Sequence, residues 1–272
     1  MQAEFLVTTS RHPRPEDEVR ARALAARLGI PYVPRAGSVA SLGARGVLVV
    51  ERGRLVVATS AGPLYFHPGM AKPRIRALER GERDVMVEAM QLRPGDAVLD
   101  GTLGLGADAI VASFVVGPTG RVVGVEGVPV LAEVVRVGLQ EYDPGHPGMR
   151  EAMRRIEVVV ADHADYLKQL PDASFDVVYF DPFFREPVQE SVHMRPWREL
   201  GVGRPLTPSV VAEACRVARR RVVIKERSGS PVFGELGVDA VIGGRKSRIA
   251  YGIIDAARRR TAAAATETGE GR

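Results

Sequence analysis

The chain has 272 residues, 45% of them hydrophobic and 26% charged, enough apolar material for one large or two modest globular domains. Its one cysteine, Cys215, excludes an intrachain disulfide and a cysteine-built zinc site. No apolar run reaches the roughly 18 residues of a membrane span and the N-terminus lacks a signal-peptide layout, so a cytoplasmic protein without membrane contact is expected.

In chain order, Phe5 to Thr8 reads as a strand, and Pro15 to Leu28 as an amphipathic helix closed by Gly29. Val47 to Glu51 and Arg54 to Thr59 flank Arg52-Gly53, a two-residue hairpin signal. Residues 1–66 are therefore expected to form a small α/β unit, and 67–83 a basic linker passing the cleft of a larger domain at 84–255. In that domain strands are predicted at 96–100, 121–126, 156–160, 176–181, 221–225, 238–242 and 248–254. Helices are predicted at 84–91, 107–116, 128–141, 164–170 and 208–219. Runs such as Val177-Val178-Tyr179-Phe180 are apolar throughout, as a parallel sheet covered on both faces requires. The fold class is doubly wound, Rossmann-like α/β. Residues 256–272 have little to bury and read as a disordered tail.

The +5 net charge rests on 34 arginines and four lysines, a skew that a GC-rich genome also produces. Clustering says more. Lys72, Arg74, Arg76, Arg80 and Arg83 form one basic segment, Arg195, Arg198 and Arg204 a second, and Arg219 to Arg221 a third. These suggest a face for nucleic-acid phosphates, the alternative being a solvated surface.

Chemistry concentrates at predicted strand ends. After Asp100 comes Gly101-Thr102-Leu103-Gly104-Leu105-Gly106, whose glycines allow a ligand to approach the backbone, and then a helix start at Ala107-Asp108. Gly104 to Ala109 also fits the G-x-G-x-x-A dinucleotide fingerprint, with Glu126 about 20 residues on. A nicotinamide-dependent oxidoreductase is thus a rival reading. Asp100 weighs against it, since a carboxylate repels a pyrophosphate but suits the ammonium and sulfonium of S-adenosylmethionine (SAM). Glu126, followed by Gly127, can accept from both ribose hydroxyls, and Asp162 with His163 can meet the adenine amino group. Each of these acids alone is as readily a helix cap.

Asp181-Pro182-Phe183-Phe184 carries the transfer chemistry. Acceptor oxygens from Asp181 and the Pro182 carbonyl can hold the hydrogens of an exocyclic amine and aim its lone pair, while Phe183 and Phe184 offer surface for a base to stack. A strand-end Asp-Pro turn with two core phenylalanines is the structural alternative. His12, His67, His146 and His193 show no ligand spacing, and no metal site is expected. Cys215 lies on the apolar face of a helix and reads as core; Thr8-Thr9-Ser10 reads as a turn or cap, and Trp197 as an RNA-facing aromatic or a loop anchor.

These motifs resemble class I SAM-dependent methyltransferases, and within them the YhiQ/RsmJ-like family, which includes a small-subunit rRNA guanine-N2 methyltransferase. The likeness rests on Val98 to Ala109, Val177 to Phe184, Arg219 to Lys225 and Arg248 to Gly252. It implies donor-binding positions at Ala107 and Asp108, Glu126 and Gly127, Asp162 and His163, and Asp181, to which the reading of the first loop adds Asp100, Thr102, Gly104 and Gly106 as cofactor-binding residues. The family usually has Arg at position 107, small hydroxyl residues near 162 and 163, and Met-Phe at 183–184, which aligns Phe184 with its aromatic. The implied activity is SAM-dependent N-methylation of a base in structured RNA, with small-subunit rRNA or an assembling ribosomal particle as partner. Other acceptors (DNA, protein, a small molecule) and a non-catalytic RNA-binding protein remain alternatives.

Overall fold

The computed structural model describes residues 4–182, 199–200, 205–243 and 247–261. The expectations for Phe183, Phe184, Arg195, Trp197, Arg198 and Arg204 lie outside the described residues. Among those described, no helix is long and apolar enough to cross a membrane.

The first strand, β1 (Phe5–Thr9), leads into α1 (Pro15–Leu28). This helix starts with Pro15 in its first turn, where the missing N–H costs nothing, and ends on Gly29 at φ 65°. Three strands follow, β2 (Gly46–Glu51), β3 (Arg54–Thr59) and β4 (Gly62–Tyr65), the last not anticipated because only two residues separate Thr59 from Gly62 and Pro63 sits inside the strand. They form a sheet of order β1-β2-β3-β4, parallel at β1/β2 and antiparallel beyond.

The expected linker instead contains a helix, α2 (Ala71–Glu79). Pro73 falls in its first turn and is tolerated there, while Ala71 and Ile75, four apart, are both fully buried. The larger unit continues with α3 (Val85–Met90), β5 (Ala97–Asp100), α4 (Ala107–Val116), β6 (Arg121–Glu126) and α5 (Pro129–Glu141). Next come α6 (Pro147–Arg154), β7 (Ile156–Val160), α7 (His163–Gln169) and β8 (Phe175–Phe180). The described chain closes with α8 (Pro208–Val217), β9 (Ala218–Arg227), α9 (Val232–Glu235), β10 (Ala240–Gly243) and β11 (Ile249–Asp255). Helix α6 was missed because Pro144, Gly145, Pro147 and Gly148 mask it. Its core face, Met149, Ala152 and Met153, nevertheless keeps helical spacing.

The seven-stranded sheet has the order β10-β11-β9-β8-β5-β6-β7, with β11 antiparallel to both neighbours and the other contacts parallel. Its strand order reverses at β5, where β6 lies on one side and β8 on the other, so a crevice opens beyond the carboxyl ends. The two sheets share a core. Val7, Leu24 and Leu48 belong to the same apolar cluster as Ile110, Leu131 and Val135. Phe66 lies so close to α5 that a Cβ on Gly138 would overlap its ring. The tail is ordered further than expected: residues 256–261 are helical, Ala256 is fully buried, and Arg260 donates to the carbonyls of Cys215, Ala218 and Arg219.

Candidate functional site

The first loop turns back on itself. Asp100 is only 2% exposed, and its Oδ1 accepts from Thr102 N at 3.0 Å. The expectation that Asp100 carries open charge into the crevice is therefore corrected: burial, with Asp108 and Asp181 nearby, pushes its carboxyl up to about 8, mostly protonated at neutral pH. Gly104 and Gly106 sit at φ 50° and 76°, a conformation open to glycine, and Gly106 caps α4 just before Ala107 and Asp108.

The second and third loops lie beside it. Glu126 ends β6, with Oε1 accepting from Val128 N at 2.9 Å, and burial lifts it to about 7. A Cβ on Gly127 would meet nothing nearer than Ala161 O at 3.8 Å, so its backbone borders open space. Asp162 caps α7, its Oδ1 accepting from Ala164 N and Asp165 N, so the helix-cap alternative is realised. The His163 ring meets Phe180 edge-on at 5.8 Å.

At the end of β8 the backbone N–H of Asp181 donates to Thr102 Oγ1 at 2.5 Å, tying the fourth loop to the first. Lys225 Nζ, on β9, lies 2.7 Å from Asp181 Oδ2 and 2.9 Å from Asp108 Oδ2. Tyr179 Oη donates to the same Asp108 Oδ2 at 2.7 Å, while Arg74 pairs with Asp108 Oδ1 and holds Asp84 at 2.7 Å. Burial raises Asp181, Lys225 opposes the rise, and the carboxyl settles at about 6. Asp108, flanked by two cations, stays well below the usual carboxylate range, and Lys225 and Arg74 stay charged.

Sequence reasoning placed Asp108 and Asp181 in the site but missed Lys225, Arg74 and Tyr179. A lysine at the carboxyl end of an otherwise apolar run, Val222-Val223-Ile224-Lys225, was the available signal: a charge there needs a buried partner. The third basic cluster is also corrected. Arg219, Arg220 and Arg221 lie at the amino end of β9, the opposite rim, where Arg220 binds Asp96 at 2.7 Å and Arg221 donates to Ala89 O. Much of the first cluster is occupied too, with Lys72 on Pro144 O, Arg80 on Glu82 and Arg83 on Glu88.

Arg74 and Lys225 are each held by two carboxylates, so neither of these two cations stands ready for a pyrophosphate. Glu126 and Asp181 titrate close to neutrality, and the Gly127 backbone next to Glu126 borders open space, a set suited to hydroxyls and to a cationic, phosphate-free nucleoside. Among the described residues no group of His, Cys, Asp and Glu could hold a metal ion.

Comparison with known proteins agrees with this chemistry. The SAM-dependent methyltransferase family model matches residues 47–251. The uncharacterized protein YpiP of Bacillus subtilis (strain 168) is 39% identical over 254 residues, 92% of this chain and 98% of that one. Ribosomal RNA small subunit methyltransferase J of Coxiella burnetii (strain RSA 493 / Nine Mile phase I) is 33% identical over 196 residues, 69% of this chain and 73% of that one. Among solved structures, the SAM-dependent methyltransferase NGO1261 from Neisseria gonorrhoeae aligns with a TM-score of 0.64 at 17% identity, over 92% of this chain and 95% of that one, a likeness of fold.

Proposed function

This chain belongs to the RsmJ-like family of class I SAM-dependent methyltransferases, and on that premise we propose that it methylates an exocyclic amino nitrogen in structured RNA, namely guanine N2 of small-subunit ribosomal RNA. The observation that carries the reading is the fixed carboxylate of Asp181, clamped through its backbone by Thr102 and through its side chain by Lys225, at the switch point of the sheet. The similarity to methyltransferases J, whose name specifies small-subunit ribosomal RNA, supports the acceptor class.

SAM supplies an electrophilic methyl group on a positively charged sulfur. In this chain Glu126 would accept from the ribose hydroxyls and the Gly127 backbone would lie along the sugar. The Asp162-His163 turn would border the adenine, and Asp100, Thr102, Gly104 and Gly106 would shape the loop under the amino-acid end. Because the Asp108 carboxylate is committed to Arg74, Lys225 and Tyr179, its contribution and that of Ala107 would come from backbone N–H groups at the start of α4, which favour a carboxylate.

Asp181 does three things. Its carboxylate accepts a hydrogen of the acceptor amine, which turns the nitrogen lone pair toward the donor. At pH 7 it is mostly ionised, since it titrates at about 6, and stabilises positive charge growing on that nitrogen. With the methyl carbon bonded to nitrogen and its bond to the donor sulfur broken, the sulfur keeping that electron pair as a neutral thioether, the nitrogen would be acidic and Asp181 would take its proton. The Pro182 carbonyl offers a second acceptor, and Phe183 and Phe184 supply ring faces suited to stacking.

Mass-spectrometric mapping of ribosomal RNA from a deletion strain tests the acceptor. One methylated guanine should vanish, return with the wild-type gene, and stay absent with Asp181→Ala. An unchanged ribosomal RNA map, with tritiated methyl groups entering DNA, protein or a small molecule instead, would refute the acceptor assignment.

A further inference from the structure

The geometry points to a seat for the acceptor nucleobase in a cleft of about 310 Å³ between the start of α3 and the start of β11, walled by Arg74, Arg83, Val85, Met86, Ile249 and Tyr251. The inference rests on the methyltransferase reading above. It adds where the acceptor enters and which residues hold it.

The donor loops follow β5, β6 and β7, on one side of β8. Strands β9 and β11 lie on its other side, and β11 runs antiparallel, so its start shares the rim with the carboxyl end of β9. Tyr251 stands directly opposite Lys225, whose ammonium reaches Asp181. A base in the cleft therefore approaches Asp181 from the side away from the donor, as in-line transfer demands.

Val85, Met86 and Ile249 provide apolar wall, while the Tyr251 ring and the Arg74 guanidinium are flat groups of the kind that bases stack on. Arg74 is locked in place by Asp84 and Asp108, so its plane is preset. Burial pushes the Tyr251 phenol up to about 12, leaving its hydroxyl a hydrogen-bond donor at neutral pH. The Arg83 side chain is 83% exposed at the mouth, paired only with surface Glu88 among the ion pairs described, and can exchange that partner for a phosphate. The volume sits at the low end of the roughly 300–1,000 Å³ of ligand pockets, which suits one extruded nucleotide and not a folded peptide.

The test is titration of guanosine 5′-monophosphate into the full-length protein saturated with S-adenosylhomocysteine, followed by ligand-observed NMR. Wild type should bind it, and Val85→Trp, which fills the cleft, should weaken binding by about tenfold or more. Arg83→Ala changes only an exposed side chain, so it guards against a Val85→Trp variant that fails to fold. It should weaken the monophosphate severalfold and leave guanosine unaffected. No detectable binding to wild type, or equal binding by wild type and both variants, would overturn the cleft assignment. Methyl transfer to ribosomal RNA by wild type is scored separately. Its absence sinks the methyltransferase reading for that acceptor, whereas failed titration with intact transfer sinks only the cleft.

Discussion

Lys225 Nζ lies 2.7 Å from Asp181 Oδ2, while the same ammonium lies 2.9 Å from Asp108 Oδ2. One cation thus serves two buried carboxylates with different tasks. Asp108 receives a second cation, Arg74, and a phenol donor, Tyr179, and becomes a fixed anchor. Asp181, among the described residues, pairs with Lys225 alone and remains poised at about 6, a suitable value for a group that must accept a proton near neutrality.

Replacing Lys225 with Met should shift the pH profile of methyl transfer. Lys225 lowers the Asp181 pKa, so its loss leaves burial and Asp108 to raise that value above about 6. The reacting form is the carboxylate. The acid limb of kcat, expected near pH 6 in wild type, should move to higher pH, and the rate at fixed neutral pH should fall by about tenfold per pKa unit gained beyond that pH. Initial rates across pH 5 to about 9 at saturating donor check this.

Arg74→Met should lower stability without touching the reacting carboxylate. It strips Asp84 and Asp108 of a guanidinium whose side chain is only 20% exposed, a loss of about 2–4 kcal/mol by urea unfolding at pH 7. Both carboxyls are held below 3.8 in the folded state, so their pairing stabilises above that pH and is lost as pH falls through the folded values. The gap between wild type and variant should therefore hold from pH 8 to about 5 and close only below about 4.

Asp100→Asn should show the opposite pH dependence. The folded carboxyl titrates at about 8 against 3.8 for an ordinary aspartate. Between those values the unfolded chain releases a proton that the native state keeps, so this group makes stability fall as pH rises from about 4 to 8. Asn keeps an oxygen for the Thr102 N–H and removes the titration. The variant should gain on wild type steadily across that window, as read by thermal unfolding at a series of pH values.

Gly138→Ala should separate α5 from the segment that ends the N-terminal sheet. The added methyl would overlap the Phe66 ring, which also meets Tyr142 edge-on at 5.8 Å. The cost should be about 1–3 kcal/mol, visible as a lowered melting temperature. Phe66→Ala in the same chain should recover part of the loss if the clash is its cause.

The alternation of apolar runs and amphipathic stretches made the large sheet legible, and strands β5 to β9 fall within three residues of their predicted bounds. Glycine and proline misled where they cap a helix and do not break one: Pro147 opens α6 and Pro73 sits in the first turn of α2. In the site, spacing located Asp100, Glu126, Asp162 and Asp181 at strand ends, yet it could not say which charges were free. Asp100 proved buried, Asp162 caps a helix, and the arginines at 219–221 lie on the far rim, because local sequence does not record which side chains meet across a sheet. Lys225 was hidden for the same reason: its partners lie 117 and 44 residues away.

The most direct test pairs calorimetry of SAM binding with transfer of tritiated methyl groups to unmodified small-subunit ribosomal RNA, using wild type and Asp181→Asn. Wild type should bind SAM and label the RNA, while Asp181→Asn should bind SAM within a few-fold of wild type and label the RNA at least about 100-fold more slowly. A wild-type protein that takes up no SAM, or an Asp181→Asn variant that methylates at the wild-type rate, would contradict the account.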